Sequence, residues 1–371
     1  MFSEVFEQYQ WGRVKQDIYG KTARDVERAL GKPVRDLEDL KALLSPAAGP
    51  YLEEMAQMSH RITQKRFGKV MQLYIPLYLS NECQNICTYC GFSLENKIAR
   101  RTLNAGEMLT EVTAIREMGY EHVLLVSGEA NQTVGMDYFV KALDVVRPHF
   151  AQLSMEVQPL ETTDYVLLME HGLHGVLVYQ ETYCREDYGL HHPRGRKANF
   201  FYRLETPDRL GEAGVYKMGL GVLIGLEDWR ADSWFTGMHL RYLENRYWRT
   251  KYSLSFPRLR PHAGGLAPKV EMTDRELIQL ICAYRLVDEE VELSLSTRES
   301  PVFRDHAVRL GVTSMSAGSR TNPGGYAVDL ESLEQFAIHD GRSPAEIAAM
   351  IRRQGYDAVW KDWDAVLQKR G

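Results

Sequence analysis

The sequence predicts an α/β protein, a (β/α)8 barrel with helical additions at both ends. From residue 73 onward, short runs rich in Val, Leu, Ile and Ser alternate with longer amphipathic segments. Eight such runs, with helical patterns between them over roughly 250 residues, match this barrel. A doubly wound open sheet would show the same alternation, and the count of eight favours the barrel.

The short runs are predicted as strands because they are apolar and separated by helical patterns. Several helical patterns end at a glycine, as at Gly119, Gly172 and Gly214, which fits the left-handed position that closes a helix. The predicted strands are 73–79, 123–127, 153–157, 175–179, 217–223, 252–256, 292–296 and 313–317. The predicted helices include 107–118, 138–146, 164–171, 207–213, 234–248 and 274–287.

Both ends of the chain carry helix-start signals. Thr22 precedes an apolar stripe with an acidic residue three positions on, a capping pattern. Ser45-Pro46 and Ser343-Pro344 place a capping residue before a proline, which is typical of a first helical turn. The tryptophans at the end of the tail are expected to pack on the barrel, the alternative being a contact with a partner. We therefore predict a helical extension over 1–70, the barrel over 71–325 and a helical tail over 326–371.

Composition excludes several classes of protein. The net charge of −5 and the sequence pI near 6.2 argue against a broad nucleic-acid surface, which would need to be basic. No stretch approaches 18 uncharged apolar residues, so we expect no membrane span. The first residues contain no apolar signal segment, and five cysteines is a low, odd number. Reduced thiols and a cytoplasmic location are the expectation.

Three of the five cysteines, Cys83, Cys87 and Cys90, stand at C-x3-C-x2-C spacing directly after the first predicted strand. Three thiolates in one loop can hold three corners of a [4Fe–4S] cluster and leave one iron open. A zinc site is an alternative, but it usually needs four ligands, and the nearest histidine pair, His191-His192, is far along the chain. Inert thiols along one helical face are the other alternative.

This loop resembles the signature of radical S-adenosylmethionine (SAM) enzymes, in spacing and in the aromatic residue before the last cysteine. The resemblance implies that Cys83, Cys87 and Cys90 ligate the cluster while the methionine end of SAM occupies the open iron. It implies that Tyr89 lies beside the adenine. It also implies a barrel of the radical SAM type, in which SAM is cleaved reductively to a 5′-deoxyadenosyl radical.

A second motif, Ser127-Gly128-Glu129, ends the second predicted strand. It resembles the G-G-E motif of the same enzymes, with serine in place of the first glycine, and implies a contact with the SAM amino group. A plain tight turn is the alternative.

Further polar residues lie where barrel enzymes keep their active sites, at the ends of strands. Glu156 and Gln158 follow the third predicted strand, and Tyr179 and Glu181 follow the fourth. Their polar groups are candidates for binding the SAM ribose. Arg203 is a candidate partner of the SAM carboxylate, and a solvated arginine is the alternative.

The last three strands end in serines and arginines, which suggests a site for a small anionic molecule. An arginine can grip a carboxylate with two hydrogen bonds. We rank Arg320 first and Arg298 second as the carboxylate clamp, with Glu299 and Ser319 as further catalytic candidates. The alternative is a ring of ion pairs around the barrel rim.

A closer resemblance covers nearly the whole chain, and its residues are 43–48, the cysteine loop, 155–160, 178–183, 203–209 and the last three strands. These stretches resemble the 2-iminoacetate synthase family, the tyrosine lyases of thiamine thiazole biosynthesis. The resemblance implies cleavage of the Cα–Cβ bond of L-tyrosine to 2-iminoacetate (dehydroglycine) and 4-methylphenol (p-cresol). It also implies a thiazole synthase partner and a reducing electron donor such as flavodoxin or ferredoxin.

Three other functions are alternatives to a 2-iminoacetate synthase. The tyrosine lyase of [FeFe]-hydrogenase maturation adds a second cluster through C-terminal cysteines, and this chain has none after Cys282. A tryptophan lyase of the same superfamily fits the late strands and the tail less well. A metal-binding scaffold without catalysis is the alternative from a different class.

Overall fold

A computed structural model describes residues 1–329 and 333–361. Eight parallel strands close into a barrel, because the first strand pairs with the second on one side and with the eighth on the other. The predicted fold class is therefore confirmed, and each predicted strand overlaps an observed one. The strands are β1 (Val70–Ser80), β2 (His122–Ser127), β3 (Gln152–Glu156), β4 (Leu173–Leu177), β5 (Lys217–Gly221), β6 (Lys251–Ser255), β7 (Glu292–Leu295) and β8 (Ser314–Ser316).

Helices precede and surround the barrel. They are α1 (Phe2–Phe6), α2 (Trp11–Tyr19), α3 (Ala23–Gly31), α4 (Leu37–Leu44), α5 (Leu52–Phe67), α6 (Ala105–Glu117), α7 (Met136–Val146), α8 (Thr162–Glu170), α9 (Arg185–His191), α10 (Phe200–Leu204), α11 (Thr206–Ala213), α12 (Trp229–Arg246), α13 (Asp274–Val287), α14 (Pro301–Ala307) and α15 (Pro344–Arg353). None of the described helices combines the length and apolar character needed to cross a membrane.

Two helix starts show how local sequence sets the elements. Helix α12 begins earlier than predicted because the Asp228 carboxylate accepts hydrogen bonds from the next helical N–H groups. Ser45-Pro46 opens a 3-10 segment, Pro46–Tyr51, and α5 starts only after it. Pro50 lacks the N–H group that an α-helix would need there.

The N-terminal helices cover the outer faces of α12 and α13. The Phe2 ring stacks on His239 with centroids 3.7 Å apart, and Trp11 donates its indole N–H to Asp232 at 3.0 Å. The Gln279 amide donates to the carbonyl groups of Leu43 and Ser45 at 2.8 Å. These contacts fix the extension on the outer wall of the barrel.

The chain after β8 includes a strand that was not predicted from the sequence. Residues Asp357–Val359 form β9, which pairs in parallel with the first residues of β1. The tail is therefore not purely helical. Trp360 packs edge-on against the Tyr120 ring at 5.2 Å, as the packing interpretation expected, whereas Trp363 lies outside the described residues. The division of the chain at residues 70 and 325 stays a prediction.

Alternation along β1 explains what positions the site. Successive strand residues point to opposite faces. Leu73, Ile75 and Leu77 are fully buried in the main hydrophobic core, whereas Tyr74 and Tyr78 line cavities inside the barrel. The apolar face of β1 thus packs in the hydrophobic core with the helices, and polar and aromatic side chains line the barrel interior.

Candidate active site

A cavity of about 170 Å³ lies at the carboxyl ends of the barrel strands. Most residues singled out in the sequence contribute to its lining. They are Cys83, Cys87, Tyr89, Cys90, Ser127, Gly128, Glu129, Glu156, Tyr179, Glu181, Arg203, Arg298 and Ser319. Gln158, Glu299 and Arg320 do not line it. The fold therefore brings the cysteine loop and the ends of the late strands to the lining of one chamber.

The cysteine loop is held by the segment around α9. The Ile86 N–H donates to the Arg194 carbonyl at 2.9 Å, and the Thr88 N–H donates to the His191 carbonyl at 3.1 Å. Inside the loop, the Cys87 N–H donates to the Ser93 hydroxyl at 3.1 Å. These bonds fix the backbone that carries the three thiols.

The end of β2 packs directly against the start of this loop. A Cβ atom at Gly128 would lie 2.1 Å from the Glu82 carbonyl oxygen and 3.3 Å from Cys83 Cβ. Only glycine allows that approach. The glycine of the Ser127-Gly128-Glu129 motif therefore has a structural reason, independent of any cofactor.

The three thiols fit a cluster better than a single ion. All three line the cavity, and no histidine lines it in the part of the chain that the structure describes. Among the described residues, the thiols are also not gathered within 4.8 Å of one another, as the ligand atoms of one ion would be. Cys282 lies elsewhere, with its thiol near the Leu310 carbonyl. A donor set of three thiols facing a chamber suits three corners of an iron–sulfur cube.

Burial keeps these thiols protonated in the absence of a metal. It raises the pKa of Cys83 to about 11, with neighbouring Cys90 adding to the effect, and it raises the pKa values of Cys87 and Cys90 as well. The positive charge of bound iron would favour the thiolate forms. Binding of iron therefore releases protons from this loop.

Beside the thiols lies a buried network of alternating charges. The Glu129 carboxylate accepts from the Asn85 amide at 2.7 Å and from the Arg203 guanidinium at 2.9 Å. Lys197 donates to Glu181 at 2.7 Å, and Arg203 lies 3.9 Å from the same carboxylate. Burial acts to raise the pKa of Glu129, but Arg203 and Lys197 outweigh it, so that pKa lies below its ordinary value.

Lys197 was missed in the sequence because it belongs to no motif. It sits in the loop after α9, and its ammonium group lies 5.5 Å from the centre of the Tyr89 ring. The Tyr89 hydroxyl pairs with His192 Nε2 at 2.7 Å. The Tyr89 ring is thus fixed at the cavity wall, and its role beside the adenine stays a prediction.

Glu181 has a strained backbone. Its φ of 72° is the only positive value at a non-glycine position within residues 1–329 and 333–361. Such strain persists only where the surroundings impose it, and it concentrates at functional sites. The bond from the Leu223 N–H to the Glu181 carbonyl at 2.9 Å and the ion pair with Lys197 are the constraints here.

Glu156 lies at the end of β3 and lines the same cavity. Burial raises the pKa of Glu156 to about 7, with the charge of Glu181 as the second cause. Gln158, two residues further, instead donates its amide to the Val134 carbonyl at 2.7 Å. Gln158 therefore lies outside the cavity lining, and its role in binding SAM stays a prediction.

The part of the cavity wall formed after β7 and β8 contains one arginine and several hydroxyl groups. The Arg298 guanidinium lies 3.4 Å from the centre of the Phe336 ring. Ser319 also lines the wall, and its buried hydroxyl has no hydrogen-bond partner among the described residues. The remaining hydroxyl groups on this wall belong to Ser296, Thr297, Ser316 and Thr321.

Two residues expected beside Arg298 are placed elsewhere. Arg320 is exposed and lies outside the cavity, whereas Arg298 lines it. Which of the two arginines binds a carboxylate stays a prediction. Glu299 is buried against Arg258, which donates to its carboxylate through Nε at 2.9 Å. Glu299 thus belongs to a rim ion pair, the arrangement named as the alternative for these strands.

Comparisons with known proteins agree with this site. The Radical SAM superfamily matches residues 77–233, and the Biotin and Thiamin Synthesis associated domain matches residues 255–357. The 2-iminoacetate synthase of Escherichia coli (strain K12) is 54% identical over 367 residues, which are 99% of this chain and 97% of that protein. The 2-iminoacetate synthase of Salmonella typhimurium is 52% identical over the same shares.

Among solved structures, the FeFe-hydrogenase maturase HydG from Carboxydothermus hydrogenoformans has a TM-score of 0.90 and 27% identity. It is matched over 100% of this chain and 87% of its own. The fold and the cysteine-lined chamber define a radical SAM enzyme. More narrowly, the chain belongs to the 2-iminoacetate synthase family.

Proposed function

We propose that this enzyme cleaves L-tyrosine between Cα and Cβ to give 2-iminoacetate and p-cresol. The observation that carries the proposal is a single chamber lined both by the thiol trio and by an arginine with several hydroxyl groups from the late strands. Family membership supplies the reaction type. The enzyme would act in the cytoplasm and supply the thiazole part of thiamine.

The part of the chamber around the cysteine loop would bind the two cofactors. Cys83, Cys87 and Cys90 would hold a [4Fe–4S] cluster, and the Glu129–Arg203 pair would orient the methionine end of SAM. When both cofactors are bound, reductive cleavage of SAM supplies a 5′-deoxyadenosyl radical that removes hydrogen from the tyrosine amino group. Tyr89, Glu156, Tyr179 and Glu181 would contact the adenosine part, while Ser127 and Gly128 line the wall between.

The substrate side rests on Arg298. Its planar guanidinium would bind the tyrosine carboxylate with two hydrogen bonds, and contact with the Phe336 ring limits its orientation. The Ser319 hydroxyl, which has no partner within residues 1–329 and 333–361, would donate to the same carboxylate. A neutral amino acid carries one such anionic group, so one arginine on this wall suffices.

The reaction consumes two electrons and one proton. One electron would serve the reductive cleavage of SAM, whose products would be methionine and, after hydrogen abstraction, 5′-deoxyadenosine. Loss of the amino hydrogen breaks the Cα–Cβ bond homolytically and leaves 2-iminoacetate and a hydroxybenzyl radical. A second electron and a proton convert that radical to p-cresol. A low-potential donor such as flavodoxin or ferredoxin would deliver the electrons.

The imine product hydrolyses readily in water, which suggests direct transfer to a partner that consumes it. A thiazole synthase is the partner that the family implies. We expect the two proteins to form a complex, and size-exclusion chromatography of the mixed proteins tests this expectation.

The test of the function is an anaerobic assay with dithionite, SAM and each amino acid in turn. We expect p-cresol and 5′-deoxyadenosine from tyrosine alone. Cys87→Ala should form neither product, whereas Cys282→Ala, which removes a thiol outside the loop, should form both. Formation of indole products from tryptophan, or full activity of Cys87→Ala, would refute the assignment.

Metal analysis separates the remaining alternatives. One cubane cluster contains about four irons per chain. A hydrogenase maturase with a second cluster would hold more iron, and this sequence offers no cysteine after Cys282 for it. Zinc without iron in anaerobically purified protein would leave only the metal-binding scaffold.

A further inference from the structure

The described segment 333–340 of the C-terminal region crosses the mouth of the barrel and contacts the cysteine loop. The Gln335 N–H donates to the Thr321 carbonyl at 2.9 Å, and the Gly91 N–H donates to the Gln335 carbonyl at 3.1 Å. Further along, the Ala337 N–H donates to the Pro261 carbonyl at 2.9 Å. Gln335 is thus tied by its backbone to the barrel end on one side and to the loop on the other.

The approach of the two segments depends on a glycine. A Cβ atom at Gly91 would lie 2.6 Å from the Gln335 carbonyl oxygen. Any other residue at position 91 would push Gln335 away from the loop. The sequence therefore permits an unusually close contact at the position directly after the third cysteine.

The Gln335 side chain uses both ends of its amide. Its Nε2 atom donates to Cys90 Sγ at 3.6 Å, and its Oε1 atom accepts from the Tyr78 hydroxyl at 2.7 Å. With Oε1 bonded to the Tyr78 hydroxyl, the NH2 group of the amide points at the Cys90 thiol. Tyr78 is itself buried and packs edge-on against Phe92 at 5.9 Å.

We propose that Gln335 is a positioning residue that raises the reduction potential of the cluster by donating a hydrogen bond to Cys90 Sγ, with Tyr78 holding its amide in place. The proposal rests on the proposed function, because it requires a cluster on Cys90. Hydrogen bonds to the sulfur ligands are one of the factors that set the potential of such clusters. An N–H donor stabilises the reduced state, which carries more negative charge, more than the oxidised state.

The experiment is an anaerobic redox titration of the reconstituted full-length protein, followed by EPR of the reduced cluster. Gln335→Met keeps the length of the side chain and removes the donor, so the potential should shift to a more negative value. Tyr78→Phe leaves the amide but frees its orientation, so a smaller shift in the same direction is expected. Ile338→Val, a change in the same segment at a residue outside the cavity lining, should leave the potential unchanged.

A direct readout covers the case in which Gln335→Met fails to assemble a cluster. Pulsed EPR of wild-type protein carrying glutamine labelled with ¹⁵N in the side chain should detect a ¹⁵N coupling to the reduced cluster, and Tyr78→Phe should weaken it. Absence of that coupling, or an unchanged potential in a cluster-loaded Gln335→Met, would overturn the proposal. Absence of a cluster in the wild-type protein would instead refute the proposed function.

Discussion

Arg203 and Glu129 form a buried ion pair at 2.9 Å, and this pair joins two stretches 74 residues apart at the wall of the cavity. Glu129 continues the end of β2, and Arg203 lies in α10. The Arg203 Nε–H also donates to the Tyr179 carbonyl at 2.6 Å, so one guanidinium connects the ends of β2 and β4. The pair therefore both stabilises the barrel mouth and presents charge to the chamber.

Arg203→Met should lower the free energy of unfolding by about 3–5 kcal/mol, because it leaves the Glu129 carboxylate buried without its cation. The double variant Arg203→Met/Glu129→Gln should recover part of that stability while SAM cleavage stays lost. Urea unfolding and deoxyadenosine formation separate the two effects. Recovery of cleavage in the double variant would show that the pair acts only on folding.

Gly128→Ala should displace the cysteine loop, because the added Cβ would meet the Glu82 carbonyl oxygen at 2.1 Å. We expect a loss of about 1–3 kcal/mol of stability and a reduced iron content after reconstitution. Gly12→Ala in α2 is the matched control, since nothing lies within 4 Å of its added Cβ. That control should leave iron content unchanged and should raise stability by about 0.5–1 kcal/mol.

Arg298→Ala should raise the KM for tyrosine at least tenfold, the equivalent of about 1.4 kcal/mol of binding free energy. The reason is the loss of the charged donor on the cavity wall. Arg320→Ala, at the exposed arginine outside the cavity, should change the KM by less than about twofold relative to the wild type. That change corresponds to less than about 0.5 kcal/mol of binding free energy. Steady-state kinetics with tyrosine measures both. The opposite ranking would move the carboxylate clamp back to Arg320.

Glu156 should make stability depend on pH. Its pKa is about 7 in the folded protein against an ordinary value of 4.5, so between these values the folded state binds the extra proton. The contribution of Glu156 to the free energy of unfolding is fully present below about pH 4.5 and is lost as the pH rises through about 7. Between pH 5 and pH 8, Glu156 should therefore lower the free energy of unfolding by about 2–3 kcal/mol.

Urea unfolding of the protein before cluster reconstitution, at both pH values, tests the Glu156 prediction. Glu156→Gln cannot ionise, so its stability should fall by less than that of the wild type over the same range. Equal falls in the two proteins would place the carboxyl in a water-accessible setting with an ordinary pKa.

The barrel and the cysteine loop could be predicted because their signals are local. Strand runs, glycine helix ends and C-x3-C-x2-C spacing are all read within a few residues, and the structure places the cysteines where that spacing suggests. The start of α12 was nevertheless missed. Asp228 caps this helix and begins it before the predicted residue 234, although its capping signal is also local.

The residues that were missed depend on contacts between distant segments. Lys197, Gln335 and Phe336 reach the cavity from loops without a motif, and only the closed fold shows that they line it. Arg298 and Arg320 look equivalent in sequence, each following a serine-rich strand. Their difference arises because the chain after β8 turns Arg320 outward, a choice set by tertiary packing.

The most direct test of the proposed function uses tyrosine labelled with ¹³C at both Cα and Cβ in a single anaerobic reaction with SAM and dithionite. Cleavage in this chamber predicts one label in the methyl group of p-cresol and the other in 2-iminoacetate, or in the glyoxylate it forms with water, in equal amounts. Recovery of both labels in one product, or SAM cleavage without p-cresol, would contradict it.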